Sequence, residues 1–465
     1  MPSKRLSRRR RVANISHSLF TTLKSFLLSP FTIKSQTSAF HPDPTYQSTS
    51  NNRATEISRP HRLRPSPHIY PGYQALHLIH LLPFEILSHI FVLGSEEDAL
   101  LPVSVSHVCR KWRKVALRTP SLWRIISLNS HERMWHERIR RARACSLDVI
   151  LSSRSSSYHS RNRHHNFNPS VVQNLMHIAI PYIDRWRSLE VAFTEYVPCL
   201  WMSALSGCNR PAPSLQELCL IYSLNDDTSE ITLFSGVAPR LKRLTVDGIR
   251  LNWLPSLFAN LTYLDYTHHG FTSGHRAVHD VISILGVSSR IRELHILFPR
   301  TRSPCLPQRK FNVAKRISLP HLTTLSLKVD GTDIPFELAH FITLISTPSL
   351  TALKLVDLRH SSQSFPSLKP FFYVYALPPT LRQVHISYGW YDPFMVRPMA
   401  QSLPRMGKIT IKRLRLPEQV LMVNPAAKRH SRFPVDRINL VGAPYHRRCS
   451  IDRLPVSYRP PCKAF

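Results

Sequence analysis

A six-residue frame, apolar at its first, fourth and sixth positions, recurs along this chain from Trp186 onward and constrains its fold more than any other feature. It reads "WRSLEV" from Trp186, "LQELCL" from Leu215, "LKRLTV" from Leu241, "LTYLDY" from Leu261 and "IRELHI" from Ile291. It continues as "LTTLSL" from Leu322, "LTALKL" from Leu350, "LRQVHI" from Leu381 and "IKRLRL" from Ile411. Successive starts lie 29, 26, 20, 30, 31, 28, 31 and 30 residues apart. Apolar residues two apart describe a short strand, so the fourth and sixth positions point inward. Helix-like stretches lie between some frames, among them "NPSVVQNLMHIAI", "SGHRAVHDVISIL" and "IPFELAHFITLIS". In the first, Asn168 suits a cap and Pro169 the first turn. A strand and a helix at this period cannot bury their apolar faces alone and are expected to stack on their neighbours.

The frame resembles a leucine-rich repeat, and the resemblance implies an α/β solenoid, a curved stack of strand-helix units. It departs from that family where Asn usually follows the strand. Ser223, Ile249, His269, Pro299, Asp330, Leu358 and Gly389 stand there instead. The repeats are therefore degenerate, and another α/β arrangement of the same elements is the alternative. In such a stack the third and fifth positions, and the one after the sixth, face away from the buried leucines. They include Arg243, Asp247, Tyr263, Asp265, Glu293, His295, Lys328, Lys354, His385, Arg413 and Arg415. The row is mixed in its middle and basic toward its end. Lys328, Lys354, Arg413 and Arg415 are thus the candidates for holding an acidic or phosphorylated protein segment.

A different pattern precedes the repeats. "LPFEILSHIFVL" places Pro83 and Glu85 in a first helical turn and groups Ile86, Leu87, Ile90 and Phe91 on one face. "GSEED" is expected to break that helix. In "VSHVCRKWRKVALRTPSLW" the apolar stripe Val105, Val108, Cys109, Trp112, Val115 and Ala116 predicts a helix stopped at Thr119-Pro120. The two stretches together resemble the F-box, in the version common among fungal proteins. The resemblance implies a three-helix module that docks on a Skp-type adaptor and so joins a cullin scaffold as part of a ubiquitin ligase. It implies adaptor-binding residues at Leu82, Pro83, Ile86, Leu87, Ile90, Val108 and Trp112, although Trp112 and Trp123 suit the module's core as well. The rest of the chain would then recruit a protein substrate for ubiquitin-dependent degradation.

The expected organisation is a disordered basic tail over 1–75, the F-box over 78–127, the repeat domain over 128–442 and a C-terminal tail over 443–465. Lys and Arg number 62 against 28 Asp and Glu, a formal charge of +34. The tail before residue 76 holds 12 of these bases and two acids, so most of the excess lies beyond it. Such a field favours acidic partners, and a nucleic-acid-binding protein is the competing class. "KRLSRRRR" suits nuclear import or an anionic surface, while "ISHSLFTTLKSFLL" leaves a mitochondrial transit peptide open. Nucleus or cytoplasm is the expected location. The eight cysteines form no CxxC pair, which reads as reduced thiols. No run is apolar enough for a transmembrane helix. His164-His165 and His268-His269 lack further ligands at metal spacing, because neighbouring side chains diverge. Asp226-Asp227 sits in a turn-like stretch without a catalytic partner. "RQVHISYGWYDPF" could stack bases, though aromatics beside strands are commonly core or rim. We therefore expect no enzyme activity, no cofactor and no metal.

Overall fold

The computed structural model describes residues 78–128, 132–153, 168–299 and 316–423. The expectations for 1–75, for His164-His165, for 424–442 and for the 443–465 tail lie outside the described residues. The chain forms two units that part between Leu122 and Trp123.

The first unit is helical. After a 3-10 turn at Leu78–Leu81 come α1 (Phe84–Glu97), α2 (Leu101–Val108) and α3 (Arg110–Arg118). Leu87, Phe91, Val105, Trp112, Val115 and Ala116 are its buried centre, with the Phe91 and Trp112 rings 4.9 Å apart. Two boundaries differ from expectation. "GSEE" does not break α1: Gly94 and Ser95 are buried inside the helix, which ends before Asp98. The helix expected from Val105 to Thr119 is instead two, because Cys109 is extended (φ −154°) and its Sγ accepts the Trp112 N–H at 3.4 Å. That contact starts α3 afresh and satisfies one of its free donors. Pro102 sits in the first turn of α2, where its missing N–H costs nothing.

The second unit opens with β1 (Ile125–Ser127), α4 (Glu132–Ala142), β2 (Leu147–Ser152), α5 (Pro169–Ala179) and β3 (Trp186–Ala192). It continues through α6 (Leu200–Leu205), β4 (Glu217–Ile221), β5 (Arg243–Asp247), α7 (Pro255–Phe258) and β6 (Tyr263–Thr267). Next come α8 (Gly274–Val287), β7 (Glu293–Leu297), β8 (Ile317–Ser318), β9 (Thr324–Val329) and α9 (Phe336–Leu344). Last are β10 (Ile345–Ser346), β11 (Ala352–Asp357), α10 (Leu368–Val374), β12 (Gln383–Ser387), α11 (Pro393–Ser402), β13 (Lys408–Lys412) and β14 (Gln419–Met422). β1 pairs with β2, so residues 125–127 lie in this sheet.

Twelve strands form one sheet in chain order, with β8 and β10 paired separately. Every pairing in the large sheet is parallel except the last, β13 with β14. The register carries the fourth frame position from strand to strand as Leu218, Leu244, Leu264, Leu294, Leu325, Leu353, Val384 and Ile409. The sixth position follows as Leu220, Val246, Tyr266, Ile296, Leu327, Leu355, Ile386 and Ile411, and both ladders are buried. The first position closes a turn each time: the N–H of Leu215, Leu241, Leu261, Ile291, Leu322, Leu350 and Leu381 donates to the carbonyl three residues before. A repeated sequence thus fixes a repeated backbone, and one strand docks on the next without a change of register.

Met406 makes the same turn, and Gly407 N–H meets the Arg382 carbonyl as the second position of the other frames does. The ninth frame is therefore "MGKITI" from Met406, not "IKRLRL" from Ile411. Arg413 and Arg415 consequently leave the strand face and lie in the turn after β13. At the turn after β5 a close approach demands glycine. Gly248, at φ +74°, would carry a Cβ 2.2 Å from the Tyr222 carbonyl oxygen.

Candidate functional site

The sheet face opposite the leucine ladders is a connected polar surface. The Arg243 guanidinium lies 3.9 Å from the Tyr263 ring centre, and Tyr263 lies 5.3 Å from the His295 ring. His295 Nε2 is 2.9 Å from Glu293 Oε1, which Lys354 Nζ approaches at 3.5 Å. The hydrogen bond from His295, helped by the charge of Lys354, holds the Glu293 carboxyl below its ordinary range despite burial. Lys328 Nζ donates to both oxygens of Asp265, at 2.7 and 2.8 Å. Two of the four expected anion-binding cations are thus engaged inside the protein. The charge of Lys328 is already met two strands away, and its side chain is only 20% exposed, so it is not free to hold an acid. Lys354 is half-exposed and more loosely paired. Arg413 and Arg415 are displaced from this row, because the ninth frame starts at Met406.

The helical unit shows the opposite character at one end. Ile86 is 49% exposed and Val108 45%. Leu81 and Phe84 are also exposed, as is Pro83, while Leu82 and Ile90 are half-buried. Lys111 Nζ donates to the Leu82 carbonyl at 3.2 Å, which brings the start of α3 to the start of α1. Ile86 and Ile90 share one face of α1, and Leu87 and Phe91 share the buried one. Leu87 (0%) and Trp112 (2%) are core side chains, which corrects their assignment as contact residues. The nine residues of α3 include Arg110, Lys111, Arg113, Lys114 and Arg118 and no Asp or Glu.

Residues 79–129 match the F-box-like family. The chain carries an F-box-like domain. No curated protein matches the chain. The match covers all three helices of the first unit. An F-box-like domain suggests docking on a Skp-type adaptor and fits an adaptor role in a ligase of that type in general. The exposed apolar residues at the start of α1 and the end of α2 are where such a domain offers uncovered area, and they include Pro83, Ile86 and Val108, which the family resemblance implied. The sequence reading missed Leu81 and Phe84, which precede and open α1 and whose apolar character was the available signal.

His268, His269 and Asp280 come together, contrary to the expectation that the adjacent histidines diverge. Their rings lie 4.0 Å apart, and the Nε2 atoms are 3.5 and 3.9 Å from Asp280 Oδ2. Their ligand atoms are close enough to suggest a metal site. The hydrogen bonds argue otherwise. The backbone N–H groups of Gly270 and Phe271 donate to Nδ1 of His268 and His269 at 3.1 and 3.0 Å. An accepting Nδ1 carries no proton, so the proton sits on Nε2 and faces Asp280. A metal held through Nε2 needs the reverse tautomer, with a donor on Nδ1. Burial would raise the Asp280 carboxyl, but hydrogen bonds from His268 and Thr272 and the nearby imidazoles outweigh it and lower its pKa. The cluster reads as a hydrogen-bonded clasp between the loop after β6 and α8. Asp226 and Asp227 likewise serve loops, accepting from Tyr196 and Ser229 rather than facing one another.

Proposed function

We propose that this chain is a non-catalytic substrate receptor of a cullin-type ubiquitin ligase. The F-box-like domain would dock on a Skp-type adaptor, and the sheet unit, a degenerate leucine-rich-repeat-like solenoid, would recruit a protein substrate. The observation that carries the reading is the F-box-like match falling on a helical unit with an uncovered apolar end. Burying such area offsets the cost of association. The solenoid reading is supported by one strand per frame, a common turn before each of those strands and a register without shifts from β3 to β13. The chain's part in the chemistry is to raise the concentration of substrate beside an enzyme held on the cullin. Nucleus or cytoplasm is the location this role requires.

The contact residues in this reading are Leu82, Pro83, Ile86, Ile90 and Val108. The double variant Ile86→Asp/Val108→Asp puts two charges into the docking face without touching the buried centre. Adaptor binding by the purified full chain should fall at least about thirtyfold, as for a disrupted hot spot. Unchanged affinity in a folded double variant would sink the assignment. The formal charge of +34 favours a second reading, a nucleic-acid-binding protein. Salt separates them: nucleic-acid affinity falls steeply with ionic strength, whereas apolar docking persists.

A further inference from the structure

The turn after β13 forms one wall of a cleft of about 460 Å³ whose other wall is the loop Ser361–Ser364. That volume is within the range of small-ligand sites. We propose that this cleft binds a phosphate monoester, the phosphate held by Arg413 with the hydroxyls of Ser361 and Ser362. For its biological ligand, a phosphorylated side chain of a captured protein, the proposal rests on the substrate-receptor reading.

The cleft is a built feature. Asp357, buried at the end of β11, accepts the backbone N–H groups of Arg359 at 2.9 Å, Ser361 at 2.7 Å and Gly389 at 3.1 Å. These bonds pin the start of the loop to the strand end beside it. The far end is tied by Ser364 Oγ to the Tyr391 carbonyl at 2.6 Å and by Phe365 N–H to the Gly389 carbonyl at 2.8 Å. Gly389 admits no side chain, because a Cβ would lie 2.6 Å from the Phe365 ring. Loop and wall are thereby held in place before any ligand arrives, which lowers the ordering cost of binding.

Its charge is unbalanced. Arg413 is paired with no carboxylate among the described residues; one of its nitrogens donates to Gln419 at 3.0 Å, and its guanidinium lies 5.1 Å from the Tyr391 ring centre. Lys412 Nζ stands 5.6 Å from the Tyr388 ring centre and likewise has no acidic partner among the described residues. Asp357 makes no ion pair with either of them among the described residues; its carboxylate accepts three backbone N–H groups instead. The side-chain hydroxyls of Ser361, Ser362, Tyr388 and Tyr391 make no hydrogen bond within the described residues. A guanidinium and several free hydroxyls supply more donors than a carboxylate accepts, and suit a dianion with three oxygens. Leu414 and Leu416, both exposed, offer the stem an apolar edge. The aromatic stretch considered for base stacking is divided here: Trp390 is buried, and of its aromatic rings Tyr388 and Tyr391 line the cleft.

The test is calorimetric titration of the full chain with phenyl phosphate, a phosphoserine peptide and its unphosphorylated twin. The wild type should bind both phosphate esters saturably and ignore the plain peptide. Arg413→Gln and Ser362→Asp should each weaken binding at least about tenfold. Arg405→Gln, which removes an equal charge from an exposed site outside the cleft, should leave it within about twofold. Binding of phenyl phosphate without the phosphopeptide supports the site and assigns it a free phosphate ester. Equal losses in Arg405→Gln and Arg413→Gln, or no saturable binding of either ester, overturn the proposal. Adaptor binding measured on the same variants separates the two readings, since its absence would refute the receptor role and leave the cleft standing.

Discussion

The two units of this chain treat their surfaces in opposite ways. The helical unit leaves Leu81, Phe84, Ile86 and Val108 uncovered at one end, around a centre built on Phe91 and Trp112. The sheet unit buries its leucines in two continuous ladders and joins charge to charge across its other face, as in Asp265 with Lys328 and Glu293 with Lys354. Uncovered apolar area on a small unit favours association, because water exclusion rewards any partner that covers it. A lattice of paired charges gives an arriving acid little to neutralise. The contrast teaches that a row of basic residues along a sheet is not in itself an anion site. What matters is whether each cation already has its counter-charge, and in the sheet unit Lys412, at the end of β13, and Arg413, in the turn beyond it, have none among the described residues.

The largest effect should come from the helical centre. Trp112→Ala removes a fully enclosed indole packed on Phe91 and should cost about 3–5 kcal/mol. A small helical unit has little stability in reserve. Hydrogen exchange should show α1 to α3 losing protection, with the strands from β3 to β12 keeping theirs. Simultaneous loss in both regions would break the comparison, because it would make the units one cooperative block.

The contrast was partly legible in the residues. Frames from Trp186 to Leu381 each became a strand, since alternation fixes the buried face and the first-position turn fixes the start. The frame failed at both ends. β2 alternates Leu147, Val149 and Leu151, but the position matching the frame's start is the polar Ser146. At the other end, "IKRLRL" is richer in leucine than "MGKITI" and fits the same frame, yet the strand is the latter, with Met406 closing the turn and Ile409 and Ile411 buried. Pairing across strands was not legible at all. Lys328 finds Asp265 through a separation of 63 residues, and no local pattern encodes it. The cleft was hidden for the same reason, because its loop and its arginine meet only after β11, β12 and β13 align.

Ion pairing on the sheet can be graded by a double comparison. Lys328→Met strips a two-oxygen contact from a partly buried Asp265 and should lower stability by about 1 kcal/mol. Lys354→Met removes a longer, half-exposed contact to Glu293 and should change it by a few tenths at most, about 0.3 kcal/mol. Chemical denaturation of the two variants measures both. A Lys354 cost equal to that of Lys328 would show that distance and exposure do not rank these pairs. The polar face would then be a single network rather than a set of local pairs.

The smallest effect belongs to the clasp of His268, His269 and Asp280, and it depends on pH. Asp280 has a folded-state pKa below its ordinary value, so its carboxylate is stabilised more in the folded chain than in the unfolded one. That contribution is fully present above the unfolded value of about 3.9 and disappears as pH falls through the lower folded value. Asp280→Asn should therefore melt below the wild type at neutral pH, and the two should converge as acid protonates the carboxyl. Half-exposure of Asp280 keeps the difference modest. Zinc provides the second arm. With both Nδ1 atoms accepting backbone N–H bonds, added zinc should raise neither melting temperature. A zinc-dependent rise in the wild type, absent from Asp280→Asn, would mean that the tautomers reverse and that the clasp is a metal site after all.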